Sequence, residues 1–265
     1  MFKAFYWMFQ KPENKKVFIK NCTILFGILL IFMFILCAMM YLVFTGSVLS
    51  FLMIFICPLL MIPGLLTCGY FWELTSNVIE RKTDIISSNI YGGRVKLAEN
   101  IEIPAIKFFS YIWRGIAGSF AILIMETPVI VLLVYIIIFG KQQLFPALIA
   151  IQILIWFLSP GLFWNYAKNN SIFSMFNLYA AGHLFENKPG RYIWNSVLII
   201  LTWLMFTVIV GFAEYAIGLP ARSDINNMTD IIKFVLSTLI FYLPYVYVQH
   251  VYAFLIGTLG NSNDF

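Results

Sequence analysis

Charged residues are scarce in this sequence, and their scarcity excludes most classes of soluble protein. Of 265 residues, 17 are basic and 12 are acidic, so that 11% carry a formal charge, against about 25% in an ordinary soluble domain. So few charges cannot cover the water-exposed surface of a globular chain of this size. The composition also excludes a disordered segment and a collagen-like repeat. The four cysteines include no Cys-x-x-Cys pair, and a disulfide-stapled secreted module is excluded as well.

Motifs that mark catalytic centres are also absent. The sequence has no Walker loop, no His-Glu-x-x-His zinc motif, no Ser-Lys pair and no glycine run able to cradle phosphates. Its two histidines, His183 and His250, have no second histidine or cysteine at metal-ligand spacing. We therefore predict no enzyme activity, no metal site and no cofactor. An enzyme that acts on lipids at the cytoplasmic interface stands as a third hypothesis.

Long apolar runs dominate what is present. Apolar residues make up 62% of the chain and aromatic residues 18%, and a membrane-spanning helix needs about 20 apolar residues to cross about 30 Å of hydrocarbon. Six segments meet this requirement: Cys22–Phe44, Val48–Trp72, Ile116–Phe139, Leu144–Ala167, Tyr192–Ile217 and Ile231–Gly257. Short turns join the first to the second and the third to the fourth. We predict an all-α membrane protein with six helices arranged as three hairpins in a single domain, residues 1–265, with a cytoplasmic loop at 73–115.

The distribution of positive charge predicts the orientation of these spans. Of the 17 Lys and Arg residues, 14 lie in the amino-terminal segment and in the second and fourth loops, whereas Lys141, Arg222 and Lys233 lie on the opposite side. Because cytoplasmic loops are the richer in Lys and Arg, we predict that both termini are cytoplasmic and that the chain resides in the cell (inner) membrane. The net charge of +5 reflects this asymmetry, so no nucleic-acid partner is predicted.

A short aromatic stretch precedes each outward-going span. These stretches are Phe2–Phe9, Ile106–Arg114 and Ile172–Phe185, and their apolar residues recur at helical spacing. The pattern is typical of amphipathic helices that lie among lipid headgroups. We predict a unit of cytoplasmic interfacial helix and hairpin that occurs three times, with membrane lipids as partners. Chance similarity between segments rich in Phe and Ile is the alternative explanation.

Polar residues inside the spans are the candidate functional residues. Glu126 lies near the middle of the third predicted span, where a charged side chain costs about 2.5–3.5 kcal/mol and should face the bundle interior. As a functional residue it would form a proton or cation site or contact a partner helix. As a structural residue it would bond backbone groups that a neighbouring proline leaves unpaired. The other intramembrane polar candidates are Gln152, Glu214, Gln249 and His250.

Prolines within the spans predict helix kinks. The predicted kinks lie at Pro58, Pro63, Pro128, Pro160 and Pro244. They fit either the broken helices of a transporter or kinks whose freed carbonyl groups are satisfied by neighbouring helices.

Several short motifs resemble those of a known family. They are Gly69-Tyr70, Ile103-Pro104, Trp113-Arg114-Gly115, the run Asn187–Tyr192, and His250–Ala253 followed by Gly257. Over most of residues 20–260 the chain resembles an uncharacterised prokaryotic family of six-span integral membrane proteins, described as a domain of unknown function. It departs from that family after Pro104, where Ala105-Ile106 replaces an acidic-aromatic pair. The resemblance implies a helical integral membrane fold and transfers no catalytic residue.

These observations predict a non-enzymatic, multi-pass membrane scaffold or accessory subunit. Its expected partners are membrane lipids and either another membrane protein or a second copy of the chain. The alternative function is a small transporter or channel that uses Glu126 and the proline-kinked helices as a midplane site.

Overall fold

The computed structural model describes residues 3–44, 61–88, 103–217 and 228–260, which are almost entirely helical and contain no strand. The α-helices are α1 (Lys3–Tyr6), α2 (Pro12–Phe44), α3 (Ile62–Ser88), α4 (Phe108–Phe139), α5 (Phe145–Asn169), α6 (Leu178–Asn187), α7 (Pro189–Ile217) and α8 (Met228–Gly257). Short 3-10 segments lie at Trp7–Phe9, Gln142–Leu144 and Ile172–Phe176. The prediction of an all-α chain is confirmed for these residues.

Five helical segments are long and apolar enough to cross a membrane. They are Pro12–Met39, Phe108–Phe139, Gln142–Asn169, Pro189–Ala213 and Thr229–Gly257. Little of their surface is covered by protein: in the most apolar part of the fourth segment, 6% of the residues are buried. Apolar side chains left outside a protein core in this way are stable only in contact with lipid. By length and composition, the chain is a multi-pass helical membrane protein.

The predicted second span, Val48–Trp72, is described only from Met61 onward. From Ile62 the helix α3 continues past Trp72 to Ser88. Pro63 lies in the first turn of this helix, where the missing backbone N–H of proline interrupts no intrahelical hydrogen bond. The start of this predicted span, its preceding turn and Pro58 lie outside the described residues.

The most extensive helix contact joins α3 to α4 and depends on glycine. A Cβ atom on Gly69 would lie 1.8 Å from the main-chain oxygen of Tyr111, and one on Gly115 would lie 1.9 Å from that of Leu65. Only residues without a side chain permit two helical backbones to approach this closely. The sequence assigned α3 and α4 to different hairpins, so the tightest contact lies between predicted repeats rather than within one.

The amino-terminal aromatic stretch is part of the protein core. Trp7 and Met8 are fully buried, and the Trp7 indole donates a hydrogen bond to the main-chain oxygen of His250 on α8 (3.3 Å). Tyr247 donates from its hydroxyl to the Phe5 oxygen (2.6 Å). The segment is helical as predicted, but these contacts place part of it between helices rather than entirely among headgroups.

The other two predicted interfacial helices differ from each other. Residues 103–107 are not helical, and the stretch from Phe108 onward forms the first turns of α4 itself, so no separate helix precedes that span. Before α7, by contrast, α6 is a separate helix, and Asn177 caps it by accepting a hydrogen bond from the backbone N–H of Ala180 (3.1 Å). Tyr179 on α6 is 82% exposed and Leu184 is buried, as expected for an amphipathic helix.

Candidate functional site

A cavity of about 460 Å³ lies among five helices, α3, α4, α5, α7 and α8. Aromatic residues form much of its wall: Trp72, Trp156, Phe163, Trp203, Tyr245 and Tyr252. The indole of Trp72 is fixed from two sides. It makes edge contacts with the rings of Phe163 (5.2 Å) and Tyr166 (4.8 Å), and it packs on Gly118, where a Cβ atom would lie 2.0 Å from its Nε1. This part of the wall is therefore preformed.

Glu126 on α4 lies on the wall of this cavity. It follows the start of the 32-residue helix by 18 residues and precedes its end by 13, which is about 27 Å and about 20 Å along the axis. The Gln152 side chain on α5 donates from Nε2 to the carboxylate, 3.4 Å from Oε1 and 3.3 Å from Oε2. Two of the predicted polar candidates are thus partners, in the region where the sequence placed the middle of the span.

Gln249 on α8 contributes a third polar group to the cavity. Its side chain is 8% exposed and has a hydrogen bond with the Tyr245 side chain, whereas its Oε1 is buried with no hydrogen-bond partner among the residues that the structure describes. A buried amide oxygen without a donor is unfavourable by about 1–3 kcal/mol. The cavity wall therefore has an unsatisfied acceptor as well as a carboxylate. The indole N–H of Trp72 also has no hydrogen-bond partner within the described part of the chain, but it packs against Gly118.

His250 follows Gln249 but belongs to a different, fully buried cluster. Its Nδ1 lies 2.8 Å from the Val246 main-chain oxygen, which can only accept, so the hydrogen is on Nδ1. The Nε2 then accepts from the hydroxyl of Tyr70 on α3 (2.9 Å). Asn21 on α2 donates to the Tyr70 oxygen (3.1 Å) and to the Pro104 main-chain oxygen (2.8 Å).

The cluster of Asn21, Tyr70 and His250 joins three helices, α2, α3 and α8. Each ring nitrogen of His250 already has a protein partner. Among the described residues no group of three His, Cys, Asp or Glu side chains could hold a metal ion. Sequence reasoning missed Tyr70 and Asn21 as partners, because polar residues near the end of a span are also common at lipid headgroups.

An ion pair between Glu73 on α3 and Arg114 on α4 was also missed from the sequence. A second nitrogen of the guanidinium, Nη2, donates to the Ala167 main-chain oxygen on α5 (3.4 Å). In return, the Tyr166 hydroxyl donates to the Arg114 oxygen (3.3 Å). The sequence analysis used Arg114 to orient the chain and placed it in an interfacial stretch; the adjacent Gly115 is the signal that could have predicted a close helix contact there.

Pro160 shows how one membrane proline is accommodated. It lies inside α5 and is buried. Ser159 donates to the freed Trp156 oxygen (3.0 Å). The Tyr192 hydroxyl on α7 donates to the Phe157 oxygen (2.9 Å) and accepts from the N–H of Gly161 (3.3 Å). These bonds replace the backbone contacts that proline removes.

Three further predicted residues, Pro128, Pro244 and His183, do not line the cavity and do not belong to the buried cluster. Pro128 and Pro244 lie inside α4 and α8 and are exposed to the surroundings of the bundle. The side chain of Glu214 lies outside the described part of α7. His183 on α6 is exposed, and its ring stacks parallel to that of Tyr179 at 6.2 Å.

Comparison with protein-family models, with curated proteins and with solved structures found no match for this chain. The predicted resemblance to a six-span family therefore stays a prediction.

Proposed function

We propose that the protein is a small transporter or channel for protons or cationic solutes, with Glu126 as its midplane site. The observation that carries this proposal is the position of Glu126, hydrogen-bonded by Gln152, on the wall of a cavity among five helices. A carboxylate inside a membrane span is expensive and marks ion or substrate pathways. A passive scaffold needs neither the cavity nor the charge. We therefore favour the transporter or channel over the scaffold.

The proposed topology has six spans in three hairpins with both termini cytoplasmic. The five apolar segments support it together with α3, and the distribution of Lys and Arg sets the direction. In this arrangement the Glu73–Arg114 pair lies toward the cytoplasmic side of the cavity. Glu126 then lies closer to the centre of the membrane than any charged residue of the amino-terminal segment.

Proton flux into vesicles tests this function. The purified protein is reconstituted into liposomes containing the pH dye pyranine, and a potassium gradient with valinomycin drives proton entry. We expect acidification faster than in protein-free vesicles, and we expect Glu126→Gln to return it to the protein-free rate. Glu186→Gln, which removes one carboxylate from exposed α6, is the matched control. Equal flux in the wild type and Glu126→Gln, or none in either, would contradict the proposal.

A scaffold or accessory subunit is the second candidate, and one specific observation favours it. Large aromatic side chains protrude in the first turns of α4 and in the 3-10 segment Ile172–Phe176, with Phe109 85%, Trp113 75% and Phe173 86% exposed. Lipid headgroups or a partner membrane protein would cover them. Purification in mild detergent followed by mass spectrometry tests this function: a partner in fixed stoichiometry supports it, and isolation of the chain alone contradicts it.

A further inference from the structure

We infer that the cavity binds a lipophilic organic cation, a compact molecule with aromatic or aliphatic groups around one positive charge. The inference rests on the proposed use of this cavity and adds the chemical class of the ligand. It is drawn from the sign of the charge, the nature of the walls, the unsatisfied acceptor and the volume.

The charge of the cavity has one sign. Glu126 lies on its wall, and the described residues that line it include no Lys, Arg or His. In a region of low dielectric constant, a single carboxylate without a basic partner attracts a cation and repels an anion strongly. Gln152 donates one amide group to Glu126 but carries no charge to neutralise it.

The walls suit the body of such a cation. Indole and phenol rings attract positive charge at their faces, and the attraction reaches about 2 kcal/mol when water is excluded. Trp156 and Trp203 lie on the wall together with Tyr245 and Tyr252. These residues come from three helices, α5, α7 and α8, so aromatic groups approach the cavity from several directions.

The unsatisfied Oε1 of Gln249 supports the same ligand class. An amide oxygen carries partial negative charge, and this one has no donor among the described residues. A cation in the cavity would provide the missing electrostatic partner, whereas an anion or a pure hydrocarbon would not. The volume of about 460 Å³ lies within the range of about 300–1,000 Å³ that is usual for sites that bind drug-sized molecules.

Binding of two ions of matched shape tests this inference. Tetraphenylphosphonium and tetraphenylborate have nearly the same size and the same phenyl surface but opposite charge. Equilibrium dialysis against the purified wild-type protein in detergent should show at least about tenfold tighter binding of the cation. Glu126→Gln keeps an oxygen that can accept from Gln152, so it should fold, and we expect it to weaken binding of the cation about tenfold. Glu186→Gln should leave both ions unaffected.

Cys68 provides a second measurement that leaves Glu126 intact. It lies on the cavity wall, and a variant with Ala in place of Cys22, Cys37 and Cys57 leaves it as the only thiol. Tetraphenylphosphonium should slow its modification by N-ethylmaleimide, and tetraphenylborate should not. Equal affinity for the two ions, or cation binding that Glu126→Gln leaves unchanged, would overturn the inference.

The two tests fail in different ways. Proton flux that depends on Glu126 without selective binding of the cation would reject the ligand class and retain the transporter. Selective binding of the cation that depends on Glu126, without proton flux, would retain the site and reject proton transport.

Discussion

Gln152 on α5 donates to both carboxylate oxygens of Glu126 on α4, at 3.4 and 3.3 Å, across the contact between two helices joined by a short turn. A hydrogen bond between membrane helices contributes about 0.6 kcal/mol on average and up to about 1.7 kcal/mol. The bond orients the carboxylate at the cavity wall and holds α4 beside α5. The same hydrogen bond therefore positions the Glu126 carboxylate and stabilises the contact between α4 and α5.

Removal of the donor should cost stability without removing the charge. We expect Gln152→Leu to lower the free energy of unfolding by about 1 kcal/mol, measured by thermal unfolding in detergent. Gln143→Leu, in the exposed segment between the same helices, should have almost no effect. Equal stability of the two variants would show that the Gln152–Glu126 bond does not hold these helices.

The Tyr70 hydroxyl should contribute more than an ordinary buried hydroxyl. It donates to His250 and accepts from Asn21. Tyr70→Phe therefore leaves the buried Nε2 of His250 without a donor and removes one of the two acceptors of the Asn21 amide. We expect a loss of about 2–3 kcal/mol in the free energy of unfolding. Tyr215→Phe removes a hydroxyl from a side chain that is 84% exposed and should be neutral. A loss in Tyr70→Phe no larger than in this control would contradict the account of the cluster.

The helices were predictable from sequence because hydrocarbon thickness sets the length of an apolar run. Their ends were not. The predicted spans began at Cys22 and Ile116, whereas the helices begin at Pro12 and Phe108. Helical backbone continues through polar and aromatic residues outside the hydrocarbon, where periodicity is preserved but hydropathy falls. An apolar run thus marks the membrane rather than the limits of the helix.

Candidate residues were also easier to predict than their partners. Glu126 and Gln249 stood out as polar residues in apolar runs, and both line the cavity. That they share one cavity depends on how α4 and α8 pack, which no local pattern contains. His250 stood out for the same reason but lies in the buried cluster. Neighbouring residues on a helix point in different directions, about 100° apart at 3.6 residues per turn. This rotation directs His250 away from the cavity that Gln249 lines.

The close approach of α3 and α4 should be sensitive to a single methyl group. Gly69→Ala would place a Cβ atom 1.8 Å from the Tyr111 main-chain oxygen, so the helices must separate. We expect destabilisation of about 3 kcal/mol, the upper part of the usual range for overpacking, and broad elution in size-exclusion chromatography. At Gly211 on α7 an added Cβ atom meets nothing within 4 Å, so Gly211→Ala should be neutral or stabilising. A sharp, unshifted elution peak and wild-type stability for Gly69→Ala would contradict the predicted contact.

The Glu73–Arg114 pair should behave as a unit. The side chains are 27% and 11% exposed, so Arg114→Gln leaves a largely buried carboxylate unpaired. We expect a cost of about 2 kcal/mol, below the 3–5 kcal/mol of a completely buried pair. The double variant Glu73→Gln with Arg114→Gln should lose less than the sum of the two single variants, as a thermodynamic cycle measures. Strict additivity of the two losses would show that the charges do not interact.

The proposed topology places both termini on the same side of the membrane and the turn between α4 and α5 on the other. Alkaline phosphatase is active only outside the cytoplasm and green fluorescent protein only folds readily inside it, so paired fusions report the side. We expect fluorescence from fusions near Lys15 and after Gly260, and phosphatase activity from an insertion at Lys141, the basic residue between these two helices. An even number of spans requires the first two reporters to agree. Reporters at Lys15 and Gly260 on opposite faces would mean an odd number of spans. The proposed assignment of the cytoplasmic side of the cavity would then be wrong.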